Sequence, residues 1–156
     1  MNRAENPGKH FAVDIMLGKL AKWLRVLGFD ARSMTLDQSR IDSLLSSGII
    51  PVTRREKLRD VRGILFIRSD HQFEQLQELM SSLHIAADEL RPFSRCSVCN
   101  AELLQIPREE AFGAVPDYVF DTASGFRKCP RCAKVYWPGS HRQKMIDELR
   151  KLGVVS

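Results

Sequence analysis

The chain has 156 residues, 44% of them apolar and 28% charged, with 24 Lys/Arg against 19 Asp/Glu. No apolar run approaches the ~20 residues of a membrane-crossing helix. The opening MNRAENPGKH has no apolar core of signal-peptide length, so membrane and secreted classes are excluded and a cytoplasmic location is expected. The net charge of +5 is uneven: residues 1–90 carry 13 Lys/Arg against 12 Asp/Glu, and residues 91–156 carry 11 against 7. Mild basicity of this kind suits a nucleic-acid partner and equally an ordinary solvated surface.

In chain order, HFAVDI (10–15) predicts a short buried strand ending near Asp14. Leu17, Leu20, Ala21, Leu24 and Leu27 then recur at helical spacing, with Lys19, Lys22 and Arg25 on the opposite side. Gly28 is a natural stop, since glycine accepts the left-handed turn after a helix. Residues 31–34 suggest a second strand. Asp37 is placed to cap a helix through Ile41, Leu44 and Leu45 that Gly48 closes. IIPVT (49–53) predicts strand three, although Pro51 lacks the donor that a central strand uses. ILFI (64–67) predicts strand four, and Ser69 or Asp70 caps a helix carrying Phe73, Leu76, Leu79, Met80 and Leu83. Strands alternating with helices over short connections imply a parallel α/β layer at 10–86. Residues 87–95 form a linker, 96–138 a small β ribbon, and Ser140 opens a last helix that Gly153 ends.

All four cysteines fall in two Cys-x-x-Cys pairs, Cys96/Cys99 and Cys129/Cys132. A two-residue gap lets both thiolates of a pair face one ion, and two pairs complete the tetrahedral shell of zinc. Two disulfides are the alternative, but paired thiols in a reducing compartment favour a metal. Four protein ligands leave no open position, so the zinc is expected to be structural. The intervening segment, 100–128, is long for a ribbon and is expected to hold a hairpin and an insertion.

In parallel α/β sheets, sites form beyond the carboxyl ends of the strands. Asp14 ends strand one, Arg54 and Arg55 follow strand three, and Asp70 follows strand four. Asp42, on the second helix, could lean over the same edge. Converging carboxylates hold Mg²⁺ or Mn²⁺, which activate water at a phosphodiester. Each acid also has a plainer role: Asp14 and Asp70 as helix caps, Asp42 as a solvated helix residue. Lys19, Lys22 and Arg25 could track phosphates or form an ordinary wet face. Lys128, Arg131 and Lys134 surround the second cysteine pair, and Tyr136-Trp137 and His141-Arg142 follow it. Rings beside cations suit unpaired bases and phosphates, while a packed joint between ribbon and last helix explains the same pair of rings.

The runs FAVDIMLGKLAKWLRVLGFDA, RCSVCNAEL and FRKCPRCAKVYWPGSHRQKM resemble the Mut-seven C-terminal RNase domain family. The resemblance extends from about Phe11 to Met145. It implies a PIN-like three-layer α/β fold with a parallel sheet, then a zinc ribbon and a C-terminal helix. It also implies a divalent-metal ribonuclease with Asp14, Asp42 and, loosely, Asp70 as catalytic residues and as Mg²⁺ or Mn²⁺ ligands. RNA is the expected partner, with Lys19, Lys22, Arg25, Arg54, Arg55, Lys128 and Arg142 as candidate contacts. One departure bears on activity: the family's usual Thr-Arg-Asp after strand three is Thr53-Arg54-Arg55 here. A guanidinium cannot ligate a metal, and Glu56 is the adjacent acid that could substitute. Three functions follow: a metal-dependent ribonuclease; a degenerate module binding RNA or a ribonucleoprotein, with Arg55 neutralising the vacated pocket; and a zinc ribbon that docks a protein partner.

Overall fold

Residues 8–156 are described by the computed structural model, and most of the polar opening, residues 1–7, lies outside them. Strand β1 (His10–Asp14) is buried from Phe11 onward. It pairs in parallel with β2 (Asp30–Met34) and β3 (Ile49–Thr53), and β4 (Leu65–Phe66) completes the order β2-β1-β3-β4. Side chains alternate across a strand, which divides the apolar residues of β1 between two faces. Phe11 and Val13 join Leu20, Leu24, Leu76 and Leu79 in the main core, while Ala12 meets Leu36, Ile41 and Leu58 on the other side. Helices α1 (Gly18–Val26) and α3 (Gln72–Ser82) therefore cover one face and α2 (Gln38–Ser46) the other. This is the expected three-layer α/β arrangement.

Pro51 is accommodated although β3 is an interior strand. The Thr53 carbonyl accepts from Ile67 N–H (2.8 Å), so it faces β4. Residues two apart in a strand turn their backbone groups to the same neighbour, so Pro51 also faces that side. Pairing with β4 begins only at Val52, and no donor is required of the proline.

The helix ends follow local chemistry. Asp37 Oδ1 accepts from Arg40 N–H (2.9 Å) and starts α2 as expected. For α3 the expected cap at Ser69 or Asp70 is replaced by His71, whose Nδ1 accepts from Phe73 N–H. Ser69 is engaged elsewhere: the Glu78 carboxylate accepts from Arg68 N–H, Ser69 N–H and the Ser69 hydroxyl. Gly28 ends α1 with φ +96°, and a Cβ there would lie 2.4 Å from the Arg91 carbonyl oxygen.

Beyond that close approach, the expected linker is tied to the end of α1 from Arg91 onward. Arg91 and Phe93 donate backbone N–H groups to the Leu27 and Val26 carbonyls (both 2.8 Å), and Arg95 Nε donates to the Gly28 carbonyl (3.1 Å). The segment supplies partners for the last carbonyls of α1, which a helix cannot satisfy itself.

The antiparallel ribbon contains β5 (Leu104–Ile106), β6 (Phe126–Lys128) and β7 (Val135–Tyr136), in that order. Between β5 and β6 the insertion forms α4 (Arg108–Ala111) and α5 (Asp117–Thr122), closed on a small core of Ala111, Val115, Val119, Phe126 and Val135. Helix α6 (Ser140–Lys151) then returns to the α/β layer, where Leu149 is fully buried in the main core. Among the described residues no helix is long and apolar enough to cross a membrane.

A candidate metal centre and an acidic rim

Two loops of identical construction carry the cysteines. Cys96 N–H donates to the Ala101 carbonyl and Asn100 N–H to the Cys96 carbonyl; Cys129 N–H donates to the Lys134 carbonyl and Ala133 N–H to the Cys129 carbonyl, all at 2.8–3.0 Å. Each loop needs a left-handed residue four positions after its first cysteine, and Asn100 (φ +68°) and Ala133 (φ +63°) supply it. The four sulfurs then lie within 4.8 Å of one another, unbonded. A tetrahedron with Zn–S distances of about 2.3 Å has edges of about 3.8 Å, and Cys96 Sγ to Cys132 Sγ is 3.8 Å. The donor set and its spacing fit zinc.

The four thiols also perturb one another's titration. Burial pushes the Cys96 thiol up, but the Tyr136 hydroxyl (3.1 Å) and the Cys99 N–H (3.3 Å) donate to its sulfur and bring it down to about 7. The Cys99 thiol, held by a hydrogen bond with Cys132, is pushed up to about 12. Burial, then the Cys96 sulfur, raises Tyr136 to about 12, which keeps its hydroxyl a donor. Four sulfurs this close cannot all ionise without a cation among them.

A second layer fixes the first loop onto the α/β layer. Asn100 Nδ2 donates to Asp30 Oδ1 (2.6 Å), and its Oδ1 accepts from Ala31 N–H (2.9 Å) on the free edge of β2. Arg25 Nε donates to the Ala31 carbonyl (2.8 Å), and Nη1 donates to the Ser97 and Val98 carbonyls. Arg25 was a candidate phosphate contact; here its guanidinium is directed inward, onto the cysteine loop.

Asp14 sits at the topological switch point. The chain leaves β1 for β2 on one side and returns to β3 on the other, so the carboxyl ends of β1 and β3 enclose the crevice where such sheets bind ligands. The Asp14 carboxylate is fully buried. Its Oδ1 accepts from Ile15 N–H (3.0 Å), Leu36 N–H (3.3 Å) and Arg55 Nη2 (3.2 Å), and its Oδ2 from the Thr53 hydroxyl (2.6 Å). Three donors therefore share Oδ1, while Oδ2 accepts from Thr53 alone.

The other expected acids differ from it in burial. Asp42 is exposed on α2. Asp70 is exposed before α3, beside a cleft of about 420 Å³ that Met16, Lys19 and His71 also line. Glu56, the possible substitute, is exposed and faces Arg59 (3.5 Å). Among the described residues the four cysteines are the only group of three or more His, Cys, Asp or Glu spaced to hold a metal. Arg54 and Arg55 both have a buried Nε without a partner at this rim. Of the remaining candidate contacts, Lys19 and Lys22 are exposed on α1, Lys128 is half-buried on β6, and Arg142 stacks on the Phe93 ring.

Sequence reasoning missed Asn100 and Glu78. Thr53 was placed at the strand end, but not its bond to Asp14, for which a hydroxyl ending an apolar strand next to a buried acid was the signal. Asn100 had one in its position, since asparagine tolerates the left-handed conformation.

The family model described as "Mut7-C RNAse domain" matches residues 9–149. No curated protein matches the chain, and no solved structure does.

Proposed function

The chain belongs to the Mut7-C RNAse domain family, and from that premise we propose that it is an RNA-binding member whose acidic rim is closed to divalent metal. The ion pair between Arg55 Nη2 and Asp14 Oδ1 (3.2 Å) carries this reading. It places a positive charge where the family's acid stands, against a carboxylate already bonded to three other donors. Mg²⁺ or Mn²⁺ would meet a fully buried acid and a like charge beside it, and the residues do not fit it. The two guanidinium groups of Arg54 and Arg55 make this rim cationic, which suits a phosphate better than a metal ion.

In this account zinc holds the ribbon in shape and takes no part in chemistry. The ribbon is also a surface on which a ribonucleoprotein or protein partner could dock. The four reduced thiols suit the cytoplasm.

A second reading, a metal-dependent ribonuclease, is favoured by one observation. Arg55 holds Asp14 through a single contact and leaves its own Nε unsatisfied, so a modest swing of one side chain would expose the acid. In that case Asp14, Asp42 and Asp70 are the residues to test, and a bound divalent ion would activate water for attack on phosphorus.

Labelled single-stranded RNA incubated with Mn²⁺ or Mg²⁺ separates the two. The native chain is expected to bind the RNA, more weakly as salt rises, and to leave it intact, whereas Arg55→Asp gains cleavage. Cleavage by the native chain that disappears with chelator and in Asp14→Asn would overturn the closed-rim reading and establish the enzyme.

A further inference from the structure

A groove of about 810 Å³ opens between α1, residues 93–97, the ribbon and the start of α6. It lies apart from Asp14, and the residues that line it include neither Asp nor Glu. Lys22, Arg127, Lys134 and Arg142 all reach it. The guanidinium of Arg142 lies over the Phe93 ring at 4.5 Å, and Lys134 Nζ lies over the Tyr136 ring at 5.2 Å. Trp137 is half-buried in the same wall, and Tyr118 is 72% exposed at the rim. The groove is therefore cationic on its ridges and aromatic on its walls.

Arg127 and Arg142 form the most telling pair. Arg127 Nη1 donates to the Phe93 carbonyl (2.8 Å), which holds it beside the ring that Arg142 covers. Burial, then the nearby Arg127 charge, lowers the pKa of Arg142. Two like charges held close without a carboxylate between them are costly, and an anion from outside relieves that cost. Spaced anions that alternate with flat apolar faces describe an unpaired polynucleotide strand. A duplex supplies the phosphates but keeps its bases stacked inside.

We propose that this groove seats a single-stranded segment of RNA, with phosphates on Arg127, Arg142 and Lys22 and bases against Tyr136 and Trp137. The proposal rests on the RNA-binding reading above, but it places the strand at the joint of ribbon and α6 and not at the Asp14 rim.

Fluorescence anisotropy of a short labelled oligouridylate with the zinc-loaded full chain tests it. Arg127→Gln combined with Arg142→Gln should weaken binding about tenfold or more and flatten the salt dependence by about 1.4 in log K against log salt, about 0.7 for each phosphate contact on a single strand. Trp137→Leu should weaken binding about tenfold through lost stacking. As a readout that needs no groove substitution, RNA should quench Trp137 emission in a Trp23→Phe background. Native binding that both variants retain, with Trp137 unquenched, overturns the groove and leaves the RNA reading standing. Absence of native binding overturns the RNA reading itself, and the groove with it. A duplex that binds as tightly as the single strand, or poly-glutamate that competes as well as RNA, would also overturn the proposal, the latter in favour of an acidic protein partner.

Discussion

Asn100 and Ala133 occupy equivalent places in the two cysteine loops, yet the chain uses them differently. Both adopt the left-handed conformation, which costs a residue with a Cβ about 1–2 kcal/mol. Asn100 offsets this with two side-chain hydrogen bonds to Asp30 and Ala31; Ala133 has no such bonds. Ala133→Gly should therefore stabilise the zinc-loaded protein by about 0.5–1 kcal/mol, the strain relieved less the ~0.5–1 kcal/mol of glycine entropy. At Asn100 the sign reverses. Asn100→Gly removes the strain but leaves the Ala31 N–H on the edge of β2 without its partner, at about 1–3 kcal/mol. Asn100→Ala loses the bonds and keeps the strain, so it should be the less stable of the two. Urea unfolding of the three variants gives the order Ala133→Gly, native, Asn100→Gly, Asn100→Ala; Asn100→Gly as stable as native would refute the link between loop and sheet.

At the scale of elements, the legible parts were those dictated by local pattern. The stripe Leu17, Leu20, Leu24 and Leu27 specified α1, Asp37 and Gly48 bounded α2, and β3 spans 49–53 as read. Cysteine spacing gave the metal centre because four ligands in two tight turns are a local property. What stayed hidden depends on contacts distant in sequence. Nothing local reveals that Glu78 claims Ser69 and leaves the cap of α3 to His71. The sequence raised the possibility that Arg55 pairs with Asp14, but not that Thr53 and Leu36 donate to the same carboxylate. Helix α6 was readable as a helix but not as part of the α/β core. Leu149 is fully buried there, packed with Met145 and Leu152 on the same cluster as Phe11 and Leu79. Leu149→Ala should cost about 2–5 kcal/mol, a large share of the ~5–15 kcal/mol of a whole domain. In a denaturant titration this loss should appear in the main unfolding transition. A loss below about 0.5 kcal/mol would mean that α6 is only a surface appendage.

For the whole molecule, the question is how far the influence of the zinc centre extends. The thiols must give up protons to bind the ion, so chelator and acid both drive its release. If zinc fills the cluster, its release removes the ligand that would tie together four sulfurs lying within 4.8 Å of one another. The first loop does not unravel alone. Its Ser97 and Val98 carbonyls receive Arg25 from α1, and Asn100 covers the edge of β2. Among the described residues no side chain bridges the second loop to the four-stranded sheet in this way, so the disturbance should pass into β2 through the first. Strand β2 is an edge strand, paired on one side only with β1, and edge strands open at low cost. Strands β1 and β3 are interior, and α3 packs through fully buried Leu76 and Leu79. Hydrogen exchange after chelation should therefore show protection lost across residues 96–137 and reduced along Asp30–Met34, with β1, β3 and α3 still protected and all of it restored by added zinc. Loss of protection throughout would make zinc a requirement for the entire fold. Unchanged protection in β2 would show that the Arg25 and Asn100 contacts do not couple the two sheets.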